Sequence, residues 1–480
     1  MSDSAYRPFL EKMLEARDFI LDETKKNSRF LVLSHFDADG LAAAGIIGKA
    51  LTRIGSRFQL RIVKQLDEET LSQALGVDPD AIIFSEIGSG YLEVIRNGLK
   101  KQRGLVLDHH KPLGEPPSNI VHINPHEYGI DGARDVGGSG VVYLAAKAVQ
   151  DSNVDLSPLA VVGALGDMQD KNDKRTLRGL NELIVEDAVK NELMRTDTDL
   201  VLYGRETRPI HKALAYTTNP FLPGLSGKED KCLELLSSAK IPVESEGRMR
   251  TVSDLSLEEK QNLLTNIIQH IASLGFPGNV ALNLIGTSYT LLREQKWTQL
   301  RDAREFSSLL NACGRMRKPG IAVTICFGER GSILDEVQEL VAEYRQTLAK
   351  YVEWLSQTRD RIVELKTAYV VHGEGTIDEN MTGAISSMVS SAGILGTEKA
   401  LIVLARTSNG KIRVSARAPR ALIEKNVNLD LAMRASAEKV SGIGGGHDVA
   451  AGAQIPEDEL DTFLKEVDET IQSQMSSSKS

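Results

Sequence analysis

Residues 31–40 read LVLSHFDADG, a run of apolar β-formers that ends in His35, Asp37 and Asp39, followed by Gly40. Three side chains able to bind a cation fall within five residues. Helix capping accounts for one of them: Asp39 would accept the first free N–H groups of a helix over LAAAGIIGKALTRI, with Gly40 easing the turn. That leaves His35 and Asp37 without a role. The same residue types return downstream. Glu86 follows AIIFS, Asp108, His109 and His110 follow GLVL, and Asp167 ends the apolar segment VVGALG. Carboxylates and imidazoles form a mixed oxygen and nitrogen donor set that suits Mn²⁺ or Mg²⁺, and two such ions about 4 Å apart can share a carboxylate. A two-metal centre lowers the pKa of a water held between the ions and clamps both oxygens of a phosphoryl displacement. Each piece also has a plainer reading: a satisfied core histidine at His109–His110, a turn at Asp167. The metal reading is favoured because all of them arrive in order, each expected at the end of a strand.

The elements that must position these residues alternate through the first 170 positions. RFLVLSH, FQLRIVKQ, AIIFSEI, GLVLDHH and IVHINP read as strands. LAAAGIIGKALTRI, EETLSQALG, YLEVIRNGLKK and GVVYLAAKAVQD read as the helices between them. Such alternation predicts an α/β fold with a parallel, doubly wound sheet, whose ligands gather at the carboxyl ends of the strands. A first domain is expected over 1–200, then a mostly helical inserted or bridging region over 201–330. A connector helix over 331–366 follows, with a smaller α/β domain over 367–472 and a disordered tail over 473–480. In the smaller domain SGIGGGHDVAAGA has two readings. Its glycines permit close backbone approach, so that bare N–H groups cradle a phosphate beside His447, or they form a tight turn into a helix over DVAAGA. Arg413, Arg417 and Arg420 make this part locally basic, and arginine suits bidentate phosphate contact. NACGRMRK, at 311–318, reads equally as a solvated helix end whose cations complement the dipole.

The balance of charges narrows the possibilities. Sixty-six acids against 57 bases give a net charge of −9, which argues against a protein that coats nucleic acid non-specifically. Bound divalent ions or a local basic groove can reverse that field where it matters. Aromatic content of 5% leaves little for long base-stacking platforms. Cys232, Cys313 and Cys326 are odd in number and scattered, as expected of reduced thiols in a cytoplasmic protein. No apolar run approaches the roughly 20 residues of a membrane span, and the acidic, amphipathic N-terminus is unlike a secretory signal.

In order along the chain, HFDADG, EIGSG, DHH and GALGDMQD resemble the four motifs of the DHH phosphoesterase superfamily, which includes RecJ nucleases and family II pyrophosphatases. REFSSLLNACGR is similar to the NAxGR segment of RecJ proteins. SAR and GGGHDVAAG are similar to the substrate-binding motifs of the associated C-terminal domain, DHHA1. GRETRPIHKALAYTTNP and DVGGSGVVY resemble the archaeal branch known as the GINS-associated nuclease, counterpart of a eukaryotic replicative-helicase subunit. The resemblance runs from about residue 30 to 455.

It implies one metal held by Asp37 with His35 and a second held by Asp39, His109 and Asp167. Glu86 stands where the family's bridging aspartate belongs. Asp108 would orient the site from behind, and His110 would face a substrate phosphate. Asn311 and Arg315 would grip the nucleic-acid backbone, while Ser415, Arg417, Gly445, Gly446 and His447 would form the phosphate-binding face of the DHHA1 domain. The implied activity is 5′-to-3′ exonucleolysis of single-stranded DNA or RNA with two Mn²⁺ or Mg²⁺ ions, in association with the GINS complex and through it the MCM helicase. The alternatives are a weak or inactive scaffold of that helicase assembly, and a hydrolase of short oligonucleotides or small phosphoesters. Two departures stand out. His35 lies only two residues before Asp37, as in the archaeal form. Glu86 is one methylene longer than aspartate, and a misplacement of about 1 Å can cost about a hundredfold in rate.

Overall fold

The computed structural model describes residues 5–217, 220–392 and 395–477. The chain falls into two compact units, the second beginning in the main at residue 342. The first opens with α1 (Arg7–Lys25), which buries Phe9, Met13, Ala16, Phe19 and Ile20, a stripe at helical spacing. Five strands follow: β1 (Arg29–His35), β2 (Arg57–Val63), β3 (Ala81–Ser85), β4 (Arg103–Leu107) and β5 (Ile120–Ile123). They pair in parallel in the order β2-β1-β3-β4-β5. Leu31, Leu33, Ile82, Phe84 and Val106 lie in one apolar core of this domain. Strands buried on both faces are what continuous apolar runs dictate, since helices must cover both sides of a parallel sheet. Those helices are α2 (Ala38–Arg53), α3 (Glu68–Leu75), α4 (Leu92–Gly98), α5 (Gly138–Val149) and α6 (Ser157–Gly166). The strand order reverses between β1 and β3, which opens a crevice at their carboxyl ends. All five expected strands and the four helices between them are present.

The remainder of this unit is α7 (Leu180–Lys190), β6 (Met194–Leu200), α8 (Ile210–Tyr216), α9 (Glu229–Ser238), the short hairpin β7 (Glu244–Ser245) and β8 (Arg248–Met249), α10 (Leu257–Ser273), β9 (Ile285–Leu291), α11 (Ala303–Arg315) and α12 (Pro319–Cys326). A capping box between Ser256 and Glu259 starts α10, whose stripe Leu263, Ile267 and Ile271 enters a separate apolar core. The expectation of a mostly helical stretch missed the antiparallel ribbon of β6 and β9, which pairs Met194 with Leu291 and Leu200 with Ile285. MRTDTDL is polar and without clean alternation, and its partner lies far along the chain.

The connector helix α13 (Ile333–Gln357) stops short of the expected 366. Thr358 leaves helical geometry, and the β-branched Ile362 and Val363 start the strand β10 (Ile362–Glu364). The second unit continues with β11 (Ala368–His372), α14 (Thr382–Ala392), β12 (Ala400–Arg406), β13 (Lys411–Arg417), α15 (Arg420–Ile423), α16 (Leu429–Lys439), β14 (Ile443–Gly446), β15 (Ala450–Pro456) and α17 (Leu460–Ser477). Its sheet runs β10-β11-β12-β13-β15-β14 and is parallel only between β11 and β12. The possible helix over DVAAGA is therefore a strand. Ala451, Ala453 and Ile455 alternate into the core, the period of a half-buried strand.

The tail expected to be disordered from 473 is helical through Ser477; residues 478–480 lie outside the described residues. The Gln474 side chain clamps Asn428, accepting from its N–H at 2.9 Å and donating to its carbonyl at 3.1 Å, while Met475 packs on the core. Gln474→Ala should accordingly lower the stability of this unit by about 1–2 kcal/mol, the worth of two such bonds. Urea unfolding followed by a probe in the C-terminal unit measures it, and an unshifted midpoint would show that the helix end holds nothing.

Candidate metal centre

Asp37, not Asp39, caps α2. Its backbone is extended and its Oδ1 accepts from the Gly40 N–H at 3.0 Å. Asp39, within the first turn, points instead at the start of α5, where Oδ2 accepts from Gly138 N–H at 2.7 Å and Oδ1 from Ser139 N–H at 3.1 Å. A helix N-terminus stabilises a carboxylate so placed. Glu86 leaves β3 in the left-handed region at φ 58°, a turn that costs a non-glycine residue about 1 kcal/mol or more. Its side chain lies against Gly138, where any Cβ would come within 2.2 Å of Glu86 Cγ. Only glycine lets α5 close over this carboxylate.

These turns bring seven side chains together. His35 Nδ1 stands 3.1 Å from Asp37 Oδ2 and 3.3 Å from Glu86 Oε2. His109 Nε2 stands 3.7 Å from Glu86 Oε1 and 3.8 Å from Asp39 Oδ2, with its Nδ1 4.0 Å from Asp167 Oδ2. His110 Nδ1 lies 3.9 Å from Glu86 Oε1. Three overlapping sets result: His35, Asp37 and Glu86; Asp39, His109 and Asp167; Glu86, His109 and His110. Asp108, fully buried, accepts from Ser89 N–H at 2.8 Å and from His110 Nδ1 at 2.9 Å. It holds His110 through this bond.

Asp167 corrects one expectation: it terminates α6 rather than a strand. Pro158 in the first turn and an unbroken run of small and apolar residues make SPLAVVGALG a buried helix. Its end still meets the strand ends, so Asp167 stays among the candidate ligands. Asn311 is engaged differently from the expected backbone grip, since its Oδ1 accepts from Ala38 N–H at 3.1 Å. Gly314 lies one turn on, and a Cβ there would fall 1.9 Å from the Phe36 carbonyl oxygen. NACGR thus seats α11 directly on the loop that carries Asp37, while Arg315 ends that helix half-buried.

In the C-terminal unit, Ser415, Gly452 and Gly445 lie in one row across β13, β15 and β14. Arg417 Nε donates to Ser387 Oγ at 2.9 Å, and Ser415 Oγ is 3.0 Å from Ser386 Oγ. Gly446 is not a bare donor, because its N–H already bonds Asp430 Oδ1 at 2.9 Å; the His447 N–H bonds the Ala450 carbonyl at 2.8 Å. Two N–H groups of the glycine-rich segment, those of Gly446 and His447, are thus already satisfied.

Sequence reading missed the groups that brace the centre. Ser89 Oγ bonds His122 Nε2 at 2.9 Å, His122 Nδ1 bonds Glu127 Oε1 at 2.7 Å, and Asn124 Nδ2 reaches both Ser89 Oγ and the His110 carbonyl at 2.8 Å. Polar residues inside IVHINP, an otherwise apolar strand, were the available signal.

The electrostatics describe a centre that wants a cation. Burial, aided by Glu86 and Asp167 and opposed by His109, raises Asp39 to about 7. Burial disfavours the charged imidazole of His35, yet Asp37 and Glu86 lift it well above the ordinary histidine value; His109 is raised in the same way by Glu86, Asp167 and Asp39. His35 Nδ1 and Glu86 Oε2 are buried with no hydrogen bond of acceptable geometry. Protons are thus drawn onto ring nitrogens that sit among carboxylates. A divalent cation would replace them with full coordination, and the mixed oxygen and nitrogen donors fit Mn²⁺ well.

The chain matches the DHH-CID domain over residues 202–285 and the DHHA1 domain over residues 366–473. It is 33% identical over 452 residues to an uncharacterised protein of Methanocaldococcus jannaschii, covering 92% of this chain and 93% of that one. Over 183 residues it is 24% identical to the single-stranded-DNA-specific exonuclease RecJ of Bacillus subtilis, 36% of this chain and 23% of that protein. Its fold is similar to that of RecJ in complex with Mn²⁺ from Thermus thermophilus, with TM-score 0.57 and 18% identity over 96% of this chain and 55% of that chain. It is also similar to CDC45 from Entamoeba histolytica, with TM-score 0.63 and 12% identity over 96% of this chain and 99% of that chain. The chain belongs to the DHH/DHHA1 family of RecJ-like proteins.

The seat of α11 is open to test. Gly314→Ala should push that helix off the Phe36–Ala38 loop, costing about 1–3 kcal/mol of stability as overpacking does. It should also weaken Mn²⁺ binding, because the displaced loop carries Asp37. Thermal unfolding without metal and a Mn²⁺ titration check both; wild-type values in each would show that the contact does not matter.

Proposed function

We propose that the protein is a metal-dependent phosphodiesterase, a 5′-to-3′ exonuclease on single-stranded DNA. The observation that carries this reading is the overlap of three donor sets on Glu86 and His109, at the switch point of a RecJ-like sheet. His35 and Asp37 would hold one Mn²⁺ or Mg²⁺ ion and Asp39, His109 and Asp167 a second, with the Glu86 carboxylate shared between them. When bound, such a pair supplies a water of lowered pKa and positive charge beside both oxygens of the displacement. The protein's own work is orientation and charge. Gly40 N–H fixes Asp37, and the first N–H groups of α5 fix Asp39. Asp108 bonds His110 Nδ1 and so fixes the ring that would face a substrate phosphate. Arg315 in the first unit, and Ser415, Arg417, Gly445, Gly446 and His447 in the second, would contact the nucleic-acid backbone.

A second reading has its own support. The likeness to CDC45 and the glutamate at position 86 favour a structural subunit of the replicative helicase, bound to the GINS complex and through it to the MCM helicase. The two readings are compatible if docking and cleavage use different surfaces.

Digestion of end-labelled single-stranded DNA and RNA with Mn²⁺, Mg²⁺ or EDTA separates them. The nuclease reading expects metal-dependent shortening of DNA, reduced at least about a hundredfold in Asp39→Asn and His109→Ala and changed only several-fold in Glu86→Asp. Inert wild type, with cleavage appearing in Glu86→Asp, would mark a scaffold. Undiminished cleavage in EDTA would overturn the metal mechanism.

A further inference from the structure

Gln169 lies two residues beyond Asp167 and is almost fully buried, 3% exposed, although its side chain is polar. Between the two, Met168 adopts φ 56° with its side chain 48% exposed. This left-handed turn at the end of α6 throws methionine outward and brings both neighbours back toward the strand ends. Gln169 Nε2 then donates to the Gly132 carbonyl at 2.9 Å and to Asp167 Oδ2 at 3.1 Å. The same Gly132 carbonyl lies 2.6 Å from His109 Nδ1. A carbonyl only accepts, so Nδ1 carries the hydrogen, and the coordinating lone pair of a neutral imidazole falls on Nε2. Nε2 is the nitrogen that faces Asp39 and Glu86.

The amide of Gln169 has no freedom to turn over. Its Oε1 accepts from Asn181 Nδ2 at 2.6 Å, and Asn181 is itself 2% exposed. Asn181 N–H bonds the Asp135 carbonyl at 2.9 Å, and its Oδ1 accepts from Gly137 N–H at 3.4 Å. Gly137 precedes Gly138, whose N–H serves Asp39. One buried amide pair therefore touches Asp167 directly, His109 through a shared carbonyl, and Asp39 through the start of α5.

We propose that Gln169, locked by Asn181, is a positioning residue that sets Asp167 and the tautomer of His109 for the ion bound by Asp39, His109 and Asp167. Among the described residues, the other position, at His35, Asp37 and Glu86, shares no hydrogen bond with this pair. The proposal rests on the two-ion reading above, and it assigns the pair to one ion only. Outer partners of metal ligands are worth about 10–100-fold in affinity, so the effect should fall unevenly on the two ions.

Gln169→Met keeps the length and burial of the side chain and removes both donors. Asn181→Asp keeps the acceptor for Gly137 but withdraws the donor that orients Gln169, which drives the amide to turn over. In each variant, calorimetric titration with MnCl₂ should show one ion bound as in wild type and the second weakened about 10–100-fold. The electron paramagnetic resonance spectrum at one to two equivalents should change from that of a coupled Mn²⁺ pair to that of an isolated ion. A residue that merely fills space would lower the unfolding temperature of the metal-free protein and leave the ratio of the two affinities unchanged. Wild-type affinities and a coupled spectrum in either folded variant overturn the proposal. Wild type that fails to bind a Mn²⁺ pair overturns the two-ion reading instead, a result seen before any variant is made.

Discussion

Asp39 is buried beside two further carboxylates, Glu86 and Asp167, and the surrounding architecture holds it there. Burial, opposed by His109 and reinforced by repulsion from Glu86 and Asp167, raises Asp39 to about 7; against the cost of burying a charged imidazole, Asp37 and Glu86 lift His35, and Glu86, Asp167 and Asp39 lift His109. The fold resists this repulsion with fixed dipoles. The N–H groups that open α5 face Asp39, and Gly40 N–H faces Asp37. Glycine at 138 is what allows α5 to come so near, and the strained backbone at Glu86 is what keeps that carboxylate inside. Such an arrangement is unfavourable by itself and becomes favourable with divalent charge at its centre.

The same demand explains why elements remote in sequence converge. A parallel sheet with order β2-β1-β3-β4-β5 presents the ends of β1, β3 and β4 to one crevice, and α6 contributes Asp167 from the side. α11, from the far end of the first unit, closes the loop between His35 and α2 through Asn311 and Gly314. The helix expected to touch substrate is thus a wedge beneath the turn that carries Asp37. Its substitution would alter the centre without removing a ligand.

Much of this was legible in the sequence because it rests on short-range pattern. Apolar runs of strand length, each followed by acids or histidines, located β1, β3 and β4 and the residues at their ends. What escaped depends on pairing between distant segments. The polar strand MRTDTDL takes its identity from β9, and AAGAQIP from β13, so neither announced itself. Asp167 was placed at a strand end because a short apolar run fits a buried helix equally well. Capping was assigned to Asp39 when Asp37 performs it, since two acids two residues apart offer the same local signal and only α5 decides between them. Gln169, though inside GALGDMQD, and Asn181 gave no sign of their pairing, because it depends on a carbonyl at Gly132 and a contact between distant segments that no side-chain pattern reveals.

The central proposal is that the carboxylates and imidazoles of this crevice would hold two divalent ions, with Glu86 serving both. Anomalous diffraction from crystals grown in Mn²⁺ tests it most directly. Two peaks about 4 Å apart are predicted, one coordinated by His35 and Asp37, the other by Asp39, His109 and Asp167, both touching Glu86. A single peak, or none, at saturating Mn²⁺ would contradict the account.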